Sequence, residues 1–263
     1  KNLIHAAKAI MTTDTYPKLA VETVRIQGEK IKIYGIAKGS GMIAPNMGTM
    51  LSYIFIEASL TSSTLSELLK TNIEDSFNAI SVDGDMSTND TVAVFAVGNK
   101  KLKNTIKKHQ FLKLISTSLK KIMRKLAQQI VCDGEGISKL IEVNVFNANS
   151  KTQAKKIAFS IAESLLVKTA ICGEDANWGR IVMAIGKTSE KIDQNKLSLK
   201  FGNNIIIHNG MISKKFNEII LNKYMKNKII KINLDLKLGS YNKTVWSSDL
   251  TKKYIEINAD YRS

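Results

Sequence analysis

A polar, glycine-rich turn near the start of the chain places a threonine where chemistry could occur. The turn runs from Lys38 to Gly48, and Thr49 stands at the head of the apolar run that follows. Glycine reaches positive φ angles without steric cost, whereas Pro45 fixes one φ angle and removes a backbone donor. The turn therefore has a defined shape and presents one hydroxyl group where a loop meets a sheet.

Threonine becomes a strong nucleophile without a neighbouring histidine when it is an N-terminal residue, because its own α-amino group then accepts the hydroxyl proton. An α-amine has a pKa of about 8, close enough to neutrality for a general base. Inside a chain this requires cleavage of the Gly48-Thr49 peptide bond, and the small Gly48 leaves its carbonyl carbon open to the Thr49 hydroxyl. The alternative is an ordinary β-turn before a strand, and these residues alone leave both open.

The elements that must position Thr49 are predicted from the spacing of apolar residues. The run after Thr49 predicts a buried strand, and residues 21–27 and 30–36 alternate as a hairpin. Apolar residues recur at helical spacing over 111–130 and predict a long helix. Further short apolar runs predict strands at 181–185, 205–207, 229–236 and 254–257. Strands and helices alternate along the chain, which is typical of an α/β layered fold.

The segment 38–51 resembles the self-processing site of the ornithine acetyltransferase family, also called the glutamate N-acetyltransferase family, of arginine biosynthesis. Other stretches match the same family in order and spacing along essentially the whole chain: 9–15, 76–91, 132–136, 173–180 and 258–263. Short strings such as Asp-Gly-Asp occur by chance, but the full series is specific. The resemblance implies a layered α/β sandwich of the self-processing type with a second α/β domain. We place the nucleophile-bearing part at 1–105 and the C-terminal domain at 106–263.

The resemblance also implies roles for individual residues. Thr49 would be the nucleophile, released by cleavage after Gly48, and the substrate contacts would be Thr12, Lys38, Thr49, Glu135, Asn258 and Ser263. The doublet of Thr12 and Thr13 leaves a one-residue ambiguity. An ammonium such as that of Lys38 suits a carboxylate or a developing oxyanion. Without the motif, each of these residues has an ordinary structural interpretation as a cap, a turn, a surface lysine or a chain end.

Two features depart from the family pattern. The family usually has alanine before the threonine, and here the residue is Gly48. The chain also begins at Lys1, already deep in the pattern, so we expect an N-terminal portion to be absent from it. In the family that portion carries a Thr-Gly pair that stabilises the oxyanion.

The activity implied is transfer of acetyl from N-acetylornithine to glutamate through an acetyl-threonine intermediate, without a cofactor. Some family members also use acetyl-CoA, and the sequence leaves that open. The resemblance further implies a heterotetramer of two α and two β chains cut from one precursor. The alternatives are a related self-processing aminopeptidase and a catalytically silent fragment. No metal site is predicted, because the acidic residues of 83–90 lack the spacing of a calcium loop.

The composition limits the other classes of partner. The net charge is +16, but lysine supplies nearly all of it, since the arginines are only Arg25, Arg124, Arg180 and Arg262. Readers of nucleic acid favour the arginine fork, so a solvated lysine surface is the interpretation we adopt and no nucleic-acid partner is predicted. No apolar run is long enough to span a bilayer, and no signal peptide opens the chain. We therefore expect a cytoplasmic protein.

Overall fold

The residues that alternate on either side of Gly28 form the predicted hairpin. In the computed structural model, which describes residues 2–26, 28–44, 50–85, 89–98 and 107–260, β1 (Lys18–Ile26) pairs antiparallel with β2 (Glu29–Lys38). Gly28 has a φ angle of 81°, the left-handed region that this tight turn requires. The pairing sets Lys18 opposite Ala37, so the start of β1 lies beside the end of β2.

Contacts between Cα atoms divide the chain into two units, of which the first comprises residues 1–80 and 84–133. Its sheet has the order β1-β2-β3-β5, with β3 antiparallel to β2 and parallel to β5. Its remaining elements are α1 (Asn2–Ala9), β3 (Leu51–Ile56), α2 (Ser62–Ile73), a 3-10 turn (Phe77–Ala79), β4 (Ile80–Ser81, whose second residue belongs to the other unit), β5 (Thr91–Ala96) and α3 (Lys108–Cys132).

The long helix predicted over 111–130 is α3, and it provides the core of the first unit. Its apolar residues fall on one face at intervals of three and four, as an amphipathic helix requires. The fully buried side chains on this face are Phe111, Ile115, Leu119, Ile122, Met123, Leu126, Ala127, Ile130 and Val131. The helix packs against β1, β2 and α2, which holds the ends of β1 and β2 in place.

The second unit comprises residues 81–83 and 134–263 and has a sheet of seven strands in the order β4-β11-β6-β10-β7-β8-β9. The elements are β6 (Leu140–Ala148), α4 (Lys151–Ala162), α5 (Leu165–Cys172), α6 (Trp178–Gly186), β7 (Ser198–Phe201), β8 (Asn204–His208), β9 (Met211–Ile212), α7 (Glu218–Met225), β10 (Ile229–Asp235), β11 (Tyr241–Ser248) and α8 (Lys252–Ala259). Strands β6 and β10 are parallel, and β11 is antiparallel to β6. The α/β fold class is confirmed.

Two of the strand predictions are wrong. Residues 181–185 lie in α6 and residues 254–257 lie in α8, because each short apolar run follows a residue that caps a helix. The side chain of Asn177 accepts from the backbone N–H of Arg180, and that of Thr251 accepts from Tyr254. In α6 the buried residues Ile181, Ala184 and Ile185 follow the three-and-four spacing of a helix.

The division by contacts falls after Asp133, not after residue 105 as the sequence analysis placed it. Helix α3 therefore groups with the first unit, since its buried face packs against β1 and β2. The assignment of the two functional domains stays a prediction.

Candidate active site

In the first unit, one buried carboxylate holds the turn that contains Thr12 to the end of β2. The backbone N–H of Thr12 donates to Asp14 Oδ2 at 3.2 Å, and the N–H of Gly39 donates to Asp14 Oδ1 at 2.8 Å. Gly39 directly follows Lys38, so the two predicted substrate contacts of this unit share one anchor.

The hydroxyl groups of the threonine doublet differ in their partners. Thr13 Oγ1 lies 2.5 Å from Ser40 Oγ, so this hydroxyl already has a hydrogen-bond partner within the chain. The hydroxyl of Thr12 has no hydrogen-bond partner in the part of the chain that the structure describes. Thr12 is exposed. The difference favours Thr12 over Thr13 as the substrate contact, which stays a prediction.

Asp14 is in turn paired with a fully buried cation. Lys18 Nζ lies 2.5 Å from Asp14 Oδ1 and 2.6 Å from Asp133 Oδ2. Burial alone would raise the pKa of Asp14, but the hydrogen bonds from Lys18, Gly39 and Thr12 outweigh it and hold the pKa below its ordinary value. Asp14 therefore stays ionised at neutral pH and keeps accepting from the two backbone N–H groups.

Lys38 is a buried lysine at the last position of β2, where it is 8% exposed and pairs in register with Leu51 of β3. Its ammonium forms no hydrogen bond or ion pair with the residues that the structure describes. A buried ammonium is costly unless an anion or a set of acceptors receives it. The position of Lys38 therefore suits a bound carboxylate or a developing negative charge.

Asp90 stands directly before β5, whose first residue pairs with Leu51 at the start of β3. Burial raises its pKa to about 6, against the Met50 N–H and the charge of Lys38, which both lower it. Gly48 and Thr49, the predicted cleavage site and nucleophile, lie outside the described residues, as does Ser263.

In the second unit the structure brings Glu135 and Asn258 together. Asn258 Nδ2 donates to Glu135 Oε2 at 3.1 Å and to the Tyr254 carbonyl at 3.0 Å. Gly136 makes this approach possible, because its φ angle is 67° and a Cβ atom there would lie 2.5 Å from the backbone nitrogen of Tyr254. The two residues were predicted from separate motifs, and helix α8 carries Asn258 back to the glycine turn.

Polar residues of the stretch 173–180 form a further set of contacts in the second unit. Asn177 Nδ2 donates to Asp175 Oδ2 at 3.1 Å, and Arg180 Nη1 donates to the Leu166 carbonyl at 2.8 Å. Among the described residues, no group of three or more His, Cys, Asp or Glu side chains is placed to hold a metal ion. Within the same residues, no helix combines the length and apolar character that crossing a membrane requires.

Comparison with known protein families decides the membership of this chain. The ArgJ family matches it over residues 1–263, that is, from the first residue to the last. The chain belongs to the ArgJ family. This membership confirms the family resemblance that the motifs predicted.

Several ArgJ proteins are similar to the chain along its length. It is 49% identical over 263 residues to the arginine biosynthesis bifunctional protein ArgJ of Bartonella henselae, covering 100% of this chain and 64% of that protein. It is 47% identical over 262 residues to the protein of the same name from Brucella melitensis, covering 98% of this chain and 63% of that protein. The chain thus spans just under two thirds of the length of these relatives.

A solved ArgJ structure has the same fold. The crystal structure of arginine biosynthesis bifunctional protein ArgJ from Bacillus halodurans superposes with a TM-score of 0.70 at 35% identity. The match covers 81% of this chain and 100% of that one.

Three residues that organise the first unit were missed as site residues in the sequence analysis: Asp14, Lys18 and Asp133. Asp14 lies inside the stretch 9–15 that matches the family. Lys18 begins β1 on the same side of the strand as the buried Ala20. A lysine on the buried side of a strand is a signal that a carboxylate must face it. The identity of that carboxylate, Asp133, was not visible, since 115 residues separate the two.

Proposed function

We propose that this chain carries the nucleophile and the amino-acid contacts of a self-processing acetyltransferase of arginine biosynthesis. In this proposal the whole protein moves acetyl from N-acetylornithine to glutamate. The observation that supports it best is Lys38: the residue is 8% exposed, its ammonium has no hydrogen bond or ion pair among the described residues, and Gly39 of the turn follows it directly. Family membership over residues 1–263 supplies the reaction class.

Self-processing comes first in this mechanism. The Thr49 hydroxyl attacks the carbonyl carbon of Gly48, the peptide C–N bond breaks, and the proton passes to the nitrogen that leaves. Water then hydrolyses the resulting ester, which yields the Gly48 carboxylate and restores the Thr49 hydroxyl. The new α-amine of Thr49 is the general base that the next steps require.

Transfer then proceeds in two half-reactions. Thr49 attacks the acetyl carbonyl of N-acetylornithine, the amide bond breaks, and ornithine leaves with the proton that the α-amine returns. The amine of glutamate attacks the acetyl ester, and N-acetylglutamate leaves as the Thr49 hydroxyl forms again. In the family pattern Thr12, Lys38, Glu135, Asn258 and Ser263 bind the amino-acid portion common to both substrates. No step requires a metal or a cofactor.

The geometry of each unit fits its assigned part. Lys38 offers a cation for a carboxylate or an oxyanion, and the backbone of Thr12 is held by the same Asp14 carboxylate as Gly39, the residue after Lys38. Glu135, hydrogen-bonded to Asn258, offers a carboxylate for an amino group. A heterotetramer of two α and two β chains is part of the proposal, as is a cytoplasmic location. Use of acetyl-CoA as a second donor is left for the assay to decide.

The test uses the full-length gene product and its Thr49→Ala variant. We expect wild type to yield a fragment beginning Thr49-Met50-Leu51 and to move isotopically labelled acetyl from N-acetylornithine to glutamate. Thr49→Ala should stay uncleaved and lose transfer by at least about 10⁴-fold, since a reaction without its nucleophile keeps only the contribution of binding. Thr117→Ala, which removes an exposed hydroxyl on α3, is the matched control and should behave like wild type.

The same assay distinguishes the alternatives. Release of amino acids from peptides into water, with no labelled N-acetylglutamate, would assign the protein to the self-processing aminopeptidases. Retained transfer in Thr49→Ala would refute the nucleophile. Labelled N-acetylglutamate formed from acetyl-CoA would add the second donor.

A further inference from the structure

Both backbone polar groups of Met50 are fixed by the residues at the start of β5. The N–H of Met50 donates to Asp90 Oδ1 at 2.5 Å, and the Met50 carbonyl accepts from the N–H of Thr91 at 3.0 Å. Strands β3 and β5 run parallel, with Leu51 opposite Thr91, so this contact closes the ladder at the strand ends. The nitrogen that Asp90 holds is the one bonded to the carbonyl carbon of Thr49.

Asp90 also lines a cavity of about 140 Å³ in the first unit. Among the described residues, the other lining side chains are apolar except for the amide of Asn78, and they include Ile43, Ala44, Met50 and Phe77. None of these is titratable, and Lys38 is the described charged group that acts on the Asp90 carboxylate. A carboxylate in such a wall is penalised by desolvation, which raises its pKa.

An interpretation of Asp90 as a simple strand-end acceptor does not account for this choice of residue. A neutral amide oxygen would accept the Met50 N–H equally well in geometry and would avoid the desolvation of a charge. The carboxylate adds a stronger, charge-assisted hydrogen bond and a negative charge that interacts electrostatically with Lys38. Both additions act on the backbone atoms that follow the predicted nucleophile.

We propose that Asp90 is a positioning residue for the self-processing threonine: its carboxylate fixes the Met50 amide and supplies a negative charge that interacts with Lys38. This inference rests on the proposed function, in which Thr49 is the nucleophile. Fixing Met50 limits the directions in which the preceding residue can present its hydroxyl. The negative charge favours the protonated α-amine that forms in each half-reaction, so it raises the basicity of that amine.

Two variants separate the hydrogen bond from the charge. Asp90→Asn keeps an acceptor for Met50 and removes the charge, whereas Asp90→Ala removes both. Asp75→Asn is the matched control in the same unit. The Asp75 carboxylate lies 2.5 Å from the ammonium of Lys120, and this ion pair is away from the strand ends. All are made in the full-length protein, and circular dichroism checks that each is folded.

The readouts are the rate at which the Thr49 fragment appears, kcat and KM for acetyl transfer, and the pH profile. Asp90→Asn should process at a rate near that of wild type but lose about 10-fold in kcat with little change in KM. The acidic limb of its kcat profile should move to lower pH, since the amine loses a neighbouring anion. Asp90→Ala should lose about 100-fold in both processing and kcat, because the hydroxyl is misplaced.

An Asp90→Asn variant that matches Asp75→Asn in kcat and in the acidic limb would overturn the charge role. An Asp90→Ala variant that is processed at the wild-type rate would overturn the positioning role. Wild type that cleaves but transfers no acetyl would refute the proposed function alone, because the cleavage rates still decide the role of Asp90. Wild type that does neither would refute both.

Discussion

Lys18 in the first unit and Lys168 in the second are the most deeply buried lysines of the described chain, and their partners differ in kind. Lys18 is 0% exposed and Lys168 is 3% exposed. The Lys18 ammonium lies 2.5 Å from Asp14 and 2.6 Å from Asp133, both ionisable carboxylates. The Lys168 ammonium donates to the Val82 carbonyl at 2.5 Å and to two serine hydroxyls at 3.3 and 3.4 Å.

The comparison shows that burial alone does not decide what a lysine contributes. Two carboxylates in direct contact offset the desolvation of Lys18, so removing this cation would leave negative charges buried together. The neutral carbonyl and hydroxyl groups around Lys168 offset less of the desolvation of its ammonium. Burial lowers the pKa of Lys168 to about 8, even though the more distant charges of Asp83, Asp249 and Glu163 raise it. The first lysine belongs to the anchor of the site, whereas the second joins α5 to the end of β11 and to the backbone that follows β4.

The largest effect expected is that of Lys18→Met. It should lower the free energy of unfolding of the first unit by about 3–5 kcal/mol, because Asp14 and Asp133 would face each other without a cation. Urea unfolding of the full-length protein gives the overall loss, and hydrogen exchange in α3 assigns it to the first unit. Lys113→Met, on the exposed face of α3, should stay within about 0.5 kcal/mol of wild type. A Lys18→Met loss no greater than this control would remove the distinction between the two lysines.

The next effect is the contribution of Lys168 to the dependence of stability on alkaline pH. Its pKa is about 8 when folded against an ordinary 10.5, so the unfolded chain binds more protons between these values. The contribution of Lys168 to stability therefore rises with pH across this window, by up to about 3 kcal/mol for a shift of this size. The measurement is the free energy of unfolding at pH 7.5 and 10.5 for wild type and Lys168→Met. The difference between the proteins should grow by this amount in favour of wild type, and parallel curves would contradict the lowered pKa.

The fold could be predicted where periodicity persists over a whole element. Strands β1 and β2 alternate around Gly28, and α3 keeps its apolar spacing from Phe111 to Val131. The prediction failed where the apolar run was short, because four or five apolar residues fit a buried helix as well as a strand. In α6 and α8 the capping side chains of Asn177 and Thr251 decide the outcome.

The site could be predicted only as far as the motifs name its residues. Thr12 and Lys38 are separately identifiable from their motifs, but their common anchor on Asp14 depends on how a turn meets a strand end. The ion pair of Lys18 with Asp133 connects the start of β1 to the residue after α3. Neither residue has a neighbour in sequence that indicates the pairing, so it emerges only from the packing of α3 on β1.

The smallest effect, and the one that sharpens the comparison most, is that of Lys168→Met at pH 7. The substitution removes the donor to the Val82 carbonyl. It also removes the free-energy cost of burying a charge whose hydrogen-bond partners are neutral. Ser248 Oγ still donates to the Val82 carbonyl at 3.5 Å, so this acceptor keeps a partner. We therefore expect a change within about 1 kcal/mol, well below that of Lys18→Met. Hydrogen exchange in β6 reports it for the second unit, with Lys151→Met in α4 as the exposed control. A loss as large as that of Lys18→Met would mean that carbonyl and hydroxyl dipoles stabilise a buried ammonium as well as two carboxylates do.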